Sequence, residues 1–335
     1  MIAPRNFMKL QSAPAKKRTS RASTMISEKR AYEYHESVLL AETLELLAPR
    51  EGKVIVDATL GGGGHAEALL ATGARVIGLD QDPAAITFAT ERLASAGKNF
   101  QPVRSSFAKI GEVLDSLSLP TIDGALLDLG VSSHQLDVPE RGFSFMREGP
   151  LDMRMDPQAP LTAADLVNTM SGDQLERIFR SYGEEPAARR IASRLVRDRL
   201  VTPFTTTLQL AAAVESVSPR RGRTHPATRV FQALRIAVNR ELEVLEEALT
   251  QFASRLSPGG RLAVITFHSL EDRIVKTVFK TRSTEWLDRP EWPEPRRNPD
   301  RIFRKVTGKP VVASEAEQRG NPRSRSAQLR VVEKL

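Results

Sequence analysis

Short runs, most of them largely apolar, alternate along this chain with stretches whose apolar residues recur every three or four positions. The runs are Val54 to Ala58, Arg75 to Leu79, Val103 to Phe107, Ile122 to Leu129 and Arg261 to Phe267, the last preceded by the turn Pro258-Gly259-Gly260. Runs of this length, bounded by glycine, proline or an acid, predict strands buried on both faces. Between them, His65 to Ala71 and Pro83 to Leu93 predict helices. Val38 to Leu47 predicts a short apolar-faced helix before Pro49. Strand and helix in alternation predict an α/β fold built on a doubly wound parallel sheet. Just before the fifth run, Phe231, Leu234, Val238, Leu242, Leu245, Leu249, Phe252 and Leu256 keep helical spacing. They predict one long amphipathic helix whose stripe packs on the sheet.

A single crossover helix would join the fourth and fifth strands, yet about 130 residues separate them, far more than such a connection needs. The surplus has helical character. Ser171-Gly172-Asp173-Gln174 is a capping box, Leu175, Ile178, Phe179 and Tyr182 form a stripe, and Gly183 closes it. Pro186 then starts a helix with Ile191, Leu195 and Val196 inward and arginines outward. An all-helical domain is therefore expected at residues 137–222, inserted into a sheet domain made of 31–136 and 223–335.

Composition alters this picture in three places. Residues 1–30 carry eight Lys/Arg against Glu28 alone and no periodic apolar pattern, so a disordered basic tail is expected. Its composition is that of an organelle transit peptide, but Met25 serves equally as the start of a chain with an over-extended reading frame, the reading favoured here. The chain has no cysteine, which removes disulfides, thiolate zinc sites and any cysteine nucleophile, and no metal is expected. It also has no apolar run long enough to span a bilayer. Charge is uneven: residues 186–240 hold eleven arginines against Asp198 and Glu215. Arginine-rich helices suit phosphate contacts, although a solvated helix face accounts for the same pattern.

The chemistry concentrates at the ends of the runs. Asp57 ends the first strand, Gly61 to Gly64 follow, and Asp80 ends the second strand. Glycines let backbone approach a ligand closely, and an acid at the tip of strand two is placed to bind ribose hydroxyls. Gly61, Gly63 and Ala66 formally satisfy the dinucleotide fingerprint, so NAD is one reading. Asp57 argues against it, because it would put negative charge beside a pyrophosphate. S-adenosylmethionine has a ribose, no phosphate and a cationic sulfonium, and is favoured. The loop after strand four, Asp128-Leu129-Gly130-Val131-Ser132-Ser133-His134-Gln135, crowds a carboxylate, hydroxyls, an imidazole and an amide into the expected crevice. The loop after strand five, Phe267-His268-Ser269-Leu270-Glu271-Asp272-Arg273, is similarly loaded, with Ser269 as a helix cap or a catalytic part.

Several blocks together resemble the bacterial 16S ribosomal RNA cytosine-N4 methyltransferase family, known as RsmH or MraW. They are His35-Glu36-Ser37-Val38-Leu39-Leu40, the glycine turn with His65, Asp80-Gln81-Asp82-Pro83 and Leu127 to Ser133. Arg141 to Phe145, Gly149 to Met155, Tyr182 to Glu185, His225 to Ala233, Phe267 to Arg273 and Asn321 to Ser326 continue the resemblance, which covers residues 34 to about 335. It implies a Rossmann-like, S-adenosylmethionine-dependent fold and a cytoplasmic enzyme acting on a cytidine in the decoding region of 16S rRNA in the small ribosomal subunit. It further implies cofactor contacts by Gly63, Gly64, His65, Asp80, Phe107, Asp128 and Gln135. The chain departs from the family at His134, where proline is frequent. The Asn/Asp-Pro-Pro-aromatic motif of many amino-methyltransferases is absent after strand four. Asp128 with Ser132 and Ser133 is the expected substitute for activating the cytosine amino group. A NAD-dependent dehydrogenase and a non-catalytic RNA-binding protein are the competing readings.

Overall fold

The computed structural model describes residues 37–220 and 225–335, apart from the Ser133 side chain. The expectations for residues 1–30, His35, Glu36, Arg221 and Arg223 fall outside the described residues. Helix α1 (Leu40–Leu47) leads into β1 (Val54–Asp57), α2 (Gly64–Ala71), β2 (Arg75–Asp80), α3 (Pro83–Arg92) and β3 (Phe100–Arg104). Helix α4 (Ile110–Ser116), β4 (Ile122–Asp128) and the short α5 (Ser133–Asp137) follow.

Between β4 and β5 (Leu256–Thr266) lie α6 (Ala163–Thr169), α7 (Gly172–Gly183), α8 (Ala188–Asp198), α9 (Thr207–Val217), α10 (Ala227–Asn239) and α11 (Glu241–Arg255). After β5 come α12 (Ser269–Ser283), a separate pair β6 (Trp286–Leu287) and β7 (Arg296–Arg297), then β8 (Phe303–Lys305), β9 (Val311–Val312), α13 (Glu315–Gly320) and β10 (Gln328–Lys334).

The main sheet runs β3-β2-β1-β4-β5-β10-β8, with β9 also on β10. The five strands read from the sequence are mutually parallel. The expected parallel, doubly wound arrangement is therefore present, and β10 extends it as an antiparallel strand paired with both β5 and β8. Strand β8 therefore runs with β5, as a strand following a helical crossover should, and β10 slips between them in the opposite sense. Strand order reverses between β1 and β4, and ligands of such sheets bind outside the carboxyl ends at that point.

Side chains alternate across the sheet. Val56, Leu127 and Val264 join Phe252 and Phe279 on one face, while Ile55, Leu126 and Ile265 join Leu39 and Leu69 on the other. A third core, with Leu166, Phe179, Ile191, Leu195, Leu210, Val214, Val230 and Leu234, is built by the helices between β4 and β5.

Two local expectations are corrected. The stripe from Phe231 to Leu256 is two helices, because Arg240 takes a left-handed conformation (φ 51°) between α10 and α11. Asn239 ties down that break: its amide donates to Met153 and Arg235 carbonyls at 2.8 Å each and accepts from the Met155 amide at 2.7 Å. Pro258 to Gly260 is an irregularity inside β5, since Leu256 already pairs with Ile122 and Arg261 with Gly124.

Candidate cofactor and catalytic site

The carboxyl ends of β1, β2 and β4 bring Asp57, Asp80 and Asp128 to one place, together with the glycine turn. Thr59 ties the strands there, its hydroxyl accepting the Asp128 amide at 2.7 Å. Asp80 accepts the Gly61 amide on Oδ2 and the Asp82 amide on Oδ1, both at 2.9 Å. Those bonds fix the carboxylate while each oxygen keeps a lone pair for another donor. Gly63 needs its glycine, since its φ is +77° and a Cβ would lie 3.2 Å from Leu93 Cδ1. Gly64 opens α2 where a Cβ would meet Ser37 Oγ at 2.3 Å, so this glycine accommodates the conformation of Ser37.

The acids are not comfortably solvated. Asp57 is buried, and its Oδ1 accepts the Thr59 amide at 3.2 Å while Oδ2 is buried without a hydrogen-bond partner. Asp128 Oδ1 is likewise buried and unpartnered. Burial pushes the Asp57 carboxyl up to about 7 against two backbone amides, with Asp80 adding to the rise. Burial raises Asp128 to about 8, helped by the negative charges of Asp57 and Glu271, and raises Asp80 to about 6. His65 is buried, its Nε2 3.1 Å from the Val38 carbonyl and its Nδ1 3.6 Å from Asp128 Oδ2. Burial lowers its pKa to about 4, so the ring is neutral at pH 7. Desolvation disfavours the charged form in each of these groups.

Phe107 lies half-buried just after β3, where the Ser105 amide donates to the Asp80 carbonyl at 3.0 Å. Ser132 caps α5: its hydroxyl accepts the Gln135 amide at 3.2 Å, and the buried Gln135 side chain accepts the Ser132 amide at 3.0 Å. Both side chains thus fix the loop after β4, and Ser132 Cβ lies 3.9 Å from where Gly61 would carry one. The Ser133 side chain is outside the described residues.

The loop after β5 differs from expectation. His268, not Ser269, caps α12, its Nδ1 accepting the Glu271 amide at 3.4 Å. Ser269 instead donates to Glu184 Oε2 at 3.0 Å, linking this loop to the end of α7. Glu271 accepts the Phe267 and His268 amides at 2.8 and 3.3 Å and places Oε1 3.2 Å from His268 Nε2. Although burial opposes it, Glu271 is held below the usual carboxylate range by His268, Arg235 and the Phe267 amide. Glu241, His268 and Glu271 bring donor atoms within 4.8 Å of one another. Arg235 already holds both Glu241 oxygens, at 2.8 and 2.7 Å, so the group is a charge network and not a vacant donor set.

Sequence reasoning gave no role to Arg141. Its guanidinium pairs with buried Asp82 beside the Asp80 loop and donates to the Arg154 and Met155 carbonyls at 2.9 and 3.0 Å. The Arg141-Gly142-Phe143 block was visible, but nothing in it pointed across to Asp82. Among the arginines, Arg189, Arg190 and Arg197 are exposed on α8. Arg199 is spent inside the fold, donating to the Val167 and Met170 carbonyls at 2.7 and 2.6 Å, and Arg229 donates to the Glu184 carbonyl at 3.3 Å.

Comparison with known proteins agrees with this arrangement. Residues 32–335 match the model of the MraW methylase family. Proteins named "Ribosomal RNA small subunit methyltransferase H" from Trichlorobacter lovleyi and Geobacter sulfurreducens are each 51% identical over 308 and 307 residues, covering 90% of this chain and 98% and 99% of theirs. The protein of the same name from Carboxydothermus hydrogenoformans is 51% identical over 304 residues, covering 90% of this chain and 98% of its own. A match over nearly the whole of both sequences, with the glycine turn and the three acids at the strand ends inside it, makes this chain a member of the MraW methylase family.

Proposed function

We propose that the protein is an S-adenosylmethionine-dependent methyltransferase that methylates N4 of a cytidine in small-subunit ribosomal RNA. The observation that carries the cofactor is the pair of buried, unpartnered carboxylate oxygens, Asp57 Oδ2 and Asp128 Oδ1. Buried polar atoms are normally paired, and these two suit a ligand that is cationic and lacks phosphate. The substrate is taken from the names of the relatives and from the family resemblance.

When bound, S-adenosylmethionine supplies an electrophilic methyl on a sulfonium. Gly63, Gly64 and His65 line its amino-acid end in this reading, Asp80 takes the ribose, Phe107 offers a face to adenine, and Gln135 holds the loop after β4. The acceptor nitrogen is a weak nucleophile because its lone pair is delocalised into the ring. Asp128 accepts a hydrogen bond from the amino group, aligns it, and takes its proton, with Ser132 and Ser133 as the accompanying hydroxyls. Residues 137–222 serve as an inserted substrate-binding domain, and the exposed Arg189, Arg190 and Arg197 contact phosphate.

Nucleoside mass spectrometry of small subunits treated with protein and S-adenosylmethionine tests this reading. The expected product is N4-methylcytidine at a single position; a methyl group on another base or atom would overturn the acceptor assignment.

A further inference from the structure

His65 is tied to a backbone acceptor on one side and faces a carboxylate on the other. The Val38 carbonyl, 3.1 Å from Nε2, can only accept, so Nε2 carries the hydrogen. A buried neutral ring then points the lone pair of Nδ1 at Asp128 Oδ2, 3.6 Å away. Two acceptors facing each other at this distance repel unless a proton lies between them. At 3.6 Å the contact is longer than a hydrogen bond, and a closure of a few tenths of an ångström makes it one. Asp57 on β1 and Glu271 on α12 both push the Asp128 carboxyl toward its protonated form, and His65 on α2 faces its Oδ2 with an atom that can accept that proton.

We propose that Asp128 and His65 share one proton in the cofactor-free protein, carried on Asp128 Oδ2 and directed at His65 Nδ1, and that the pair gives it up on cofactor binding. His65 is then a positioning residue that fixes which Asp128 oxygen holds the proton. The second part rests on the S-adenosylmethionine reading above. The proton balance closes over a turnover. The acceptor nitrogen gains a methyl and loses one proton, the Asp128 carboxylate gains that proton, and the pair returns to its protonated resting form.

The first test needs no ligand. Nitrogen-15 NMR of the imidazoles in the cofactor-free chain, followed from pH 5.5 to 9, should show His65 as the neutral Nε2–H form throughout. Its Nδ1 resonance should move with the titration of the pair, near the value of about 8 to which Asp128 is raised. An imidazolium at pH 7, a hydrogen on Nδ1, or an Nδ1 signal indifferent to Asp128→Asn would overturn the proposal.

The second test is calorimetry of S-adenosylmethionine binding at pH 7 in buffers of different ionisation enthalpy. The parent should release protons, and Asp128→Asn should release about one fewer per cofactor bound. Equal release from the two proteins would overturn the proton sharing. Failure of the parent to bind S-adenosylmethionine would strike the cofactor reading instead, leaving the NMR result to decide the pair.

Discussion

Helices α6 to α10 and the carboxyl edge of the sheet treat polar groups in opposite ways. In the helical segment, Thr162, Ser171 and Thr206 each form reciprocal capping boxes, and Asn168 exchanges two hydrogen bonds with the Phe204 backbone, at 2.8 and 2.9 Å. Among the described residues from 137 to 240, no buried side-chain polar atom lacks a partner. At the sheet edge, Asp57 Oδ2 and Asp128 Oδ1 both lack a hydrogen bond. The first region is a self-sufficient packed element. The second keeps buried carboxylates that fold stability alone would select against, which is the mark of a site completed by something outside the chain.

Each side of the comparison can be broken separately. The largest effect is expected in the chemical step: Asp128→Asn keeps the shape and removes the proton acceptor, and should slow single-turnover methyl transfer by about 100-fold or more. The same change should leave the melting temperature equal or higher, since the carboxamide stays neutral there at any pH while the carboxyl must hold a proton to do so. On the helical side, Phe179→Ala removes a fully buried ring and should cost about 3–5 kcal/mol of stability, read by denaturant unfolding, while Asp128 chemistry in the folded fraction is unchanged. Asp80→Ala removes the acceptor of the Gly61 and Asp82 amides and, in the proposed reading, of the ribose. It should weaken S-adenosylmethionine binding by tenfold or more, on the order of 1.5–3 kcal/mol per charge-assisted bond.

Smaller effects sharpen the contrast. The carboxyls of Asp57 and Asp128 sit at about 7 and 8, above their unfolded value of 3.8, so the folded chain binds more protons than the unfolded one. The stability they lend is fully present below about pH 4 and is lost as pH rises through 7 to 8. His65, lowered from 6.5 to about 4, opposes this only below pH 6.5. Cofactor-free protein should therefore lose stability between pH 6.5 and 8, by on the order of 1 kcal/mol, and Asp57→Asn with Asp128→Asn should flatten the profile. If the parent gained stability over that window, the protonated edge would be wrong. Last, Arg189→Ala and Arg190→Ala should each reduce the salt dependence of subunit binding by the share of about one phosphate contact; unchanged slopes would assign those arginines to solvent.

What the sequence discloses follows the same division. Asp57, the glycine turn and Asp80 are legible because strand length and spacing alone place them together. The Asp128–His65 contact is not, since it joins the first turn of α2 to the end of β4 and depends on the Val38 carbonyl that orients the ring. The break at Arg240 is hidden for another reason. Apolar spacing runs unbroken from Phe231 to Leu256, yet Phe231 and Leu234 serve the helical core while Leu245, Leu249 and Phe252 serve the sheet. Periodicity reports that a face is buried, not against what. Strand β10 sits in an arginine-rich stretch, where charge masked the alternation of buried Leu329 and Val331. Ser269, a cap or a catalytic part by residue type, leaves the capping of α12 to His268, whose amide Glu271 reaches back to bond.

On this reading the unpartnered acids at the sheet edge, Asp57 and Asp128, await a cationic ligand free of phosphate. Calorimetric titration of the parent with S-adenosylmethionine and, separately, with NAD tests it most directly. S-adenosylmethionine should bind stoichiometrically, NAD should not bind measurably, and Asp57→Asn should show a weaker preference; NAD binding as tightly as S-adenosylmethionine would show that the acids do not select against phosphate.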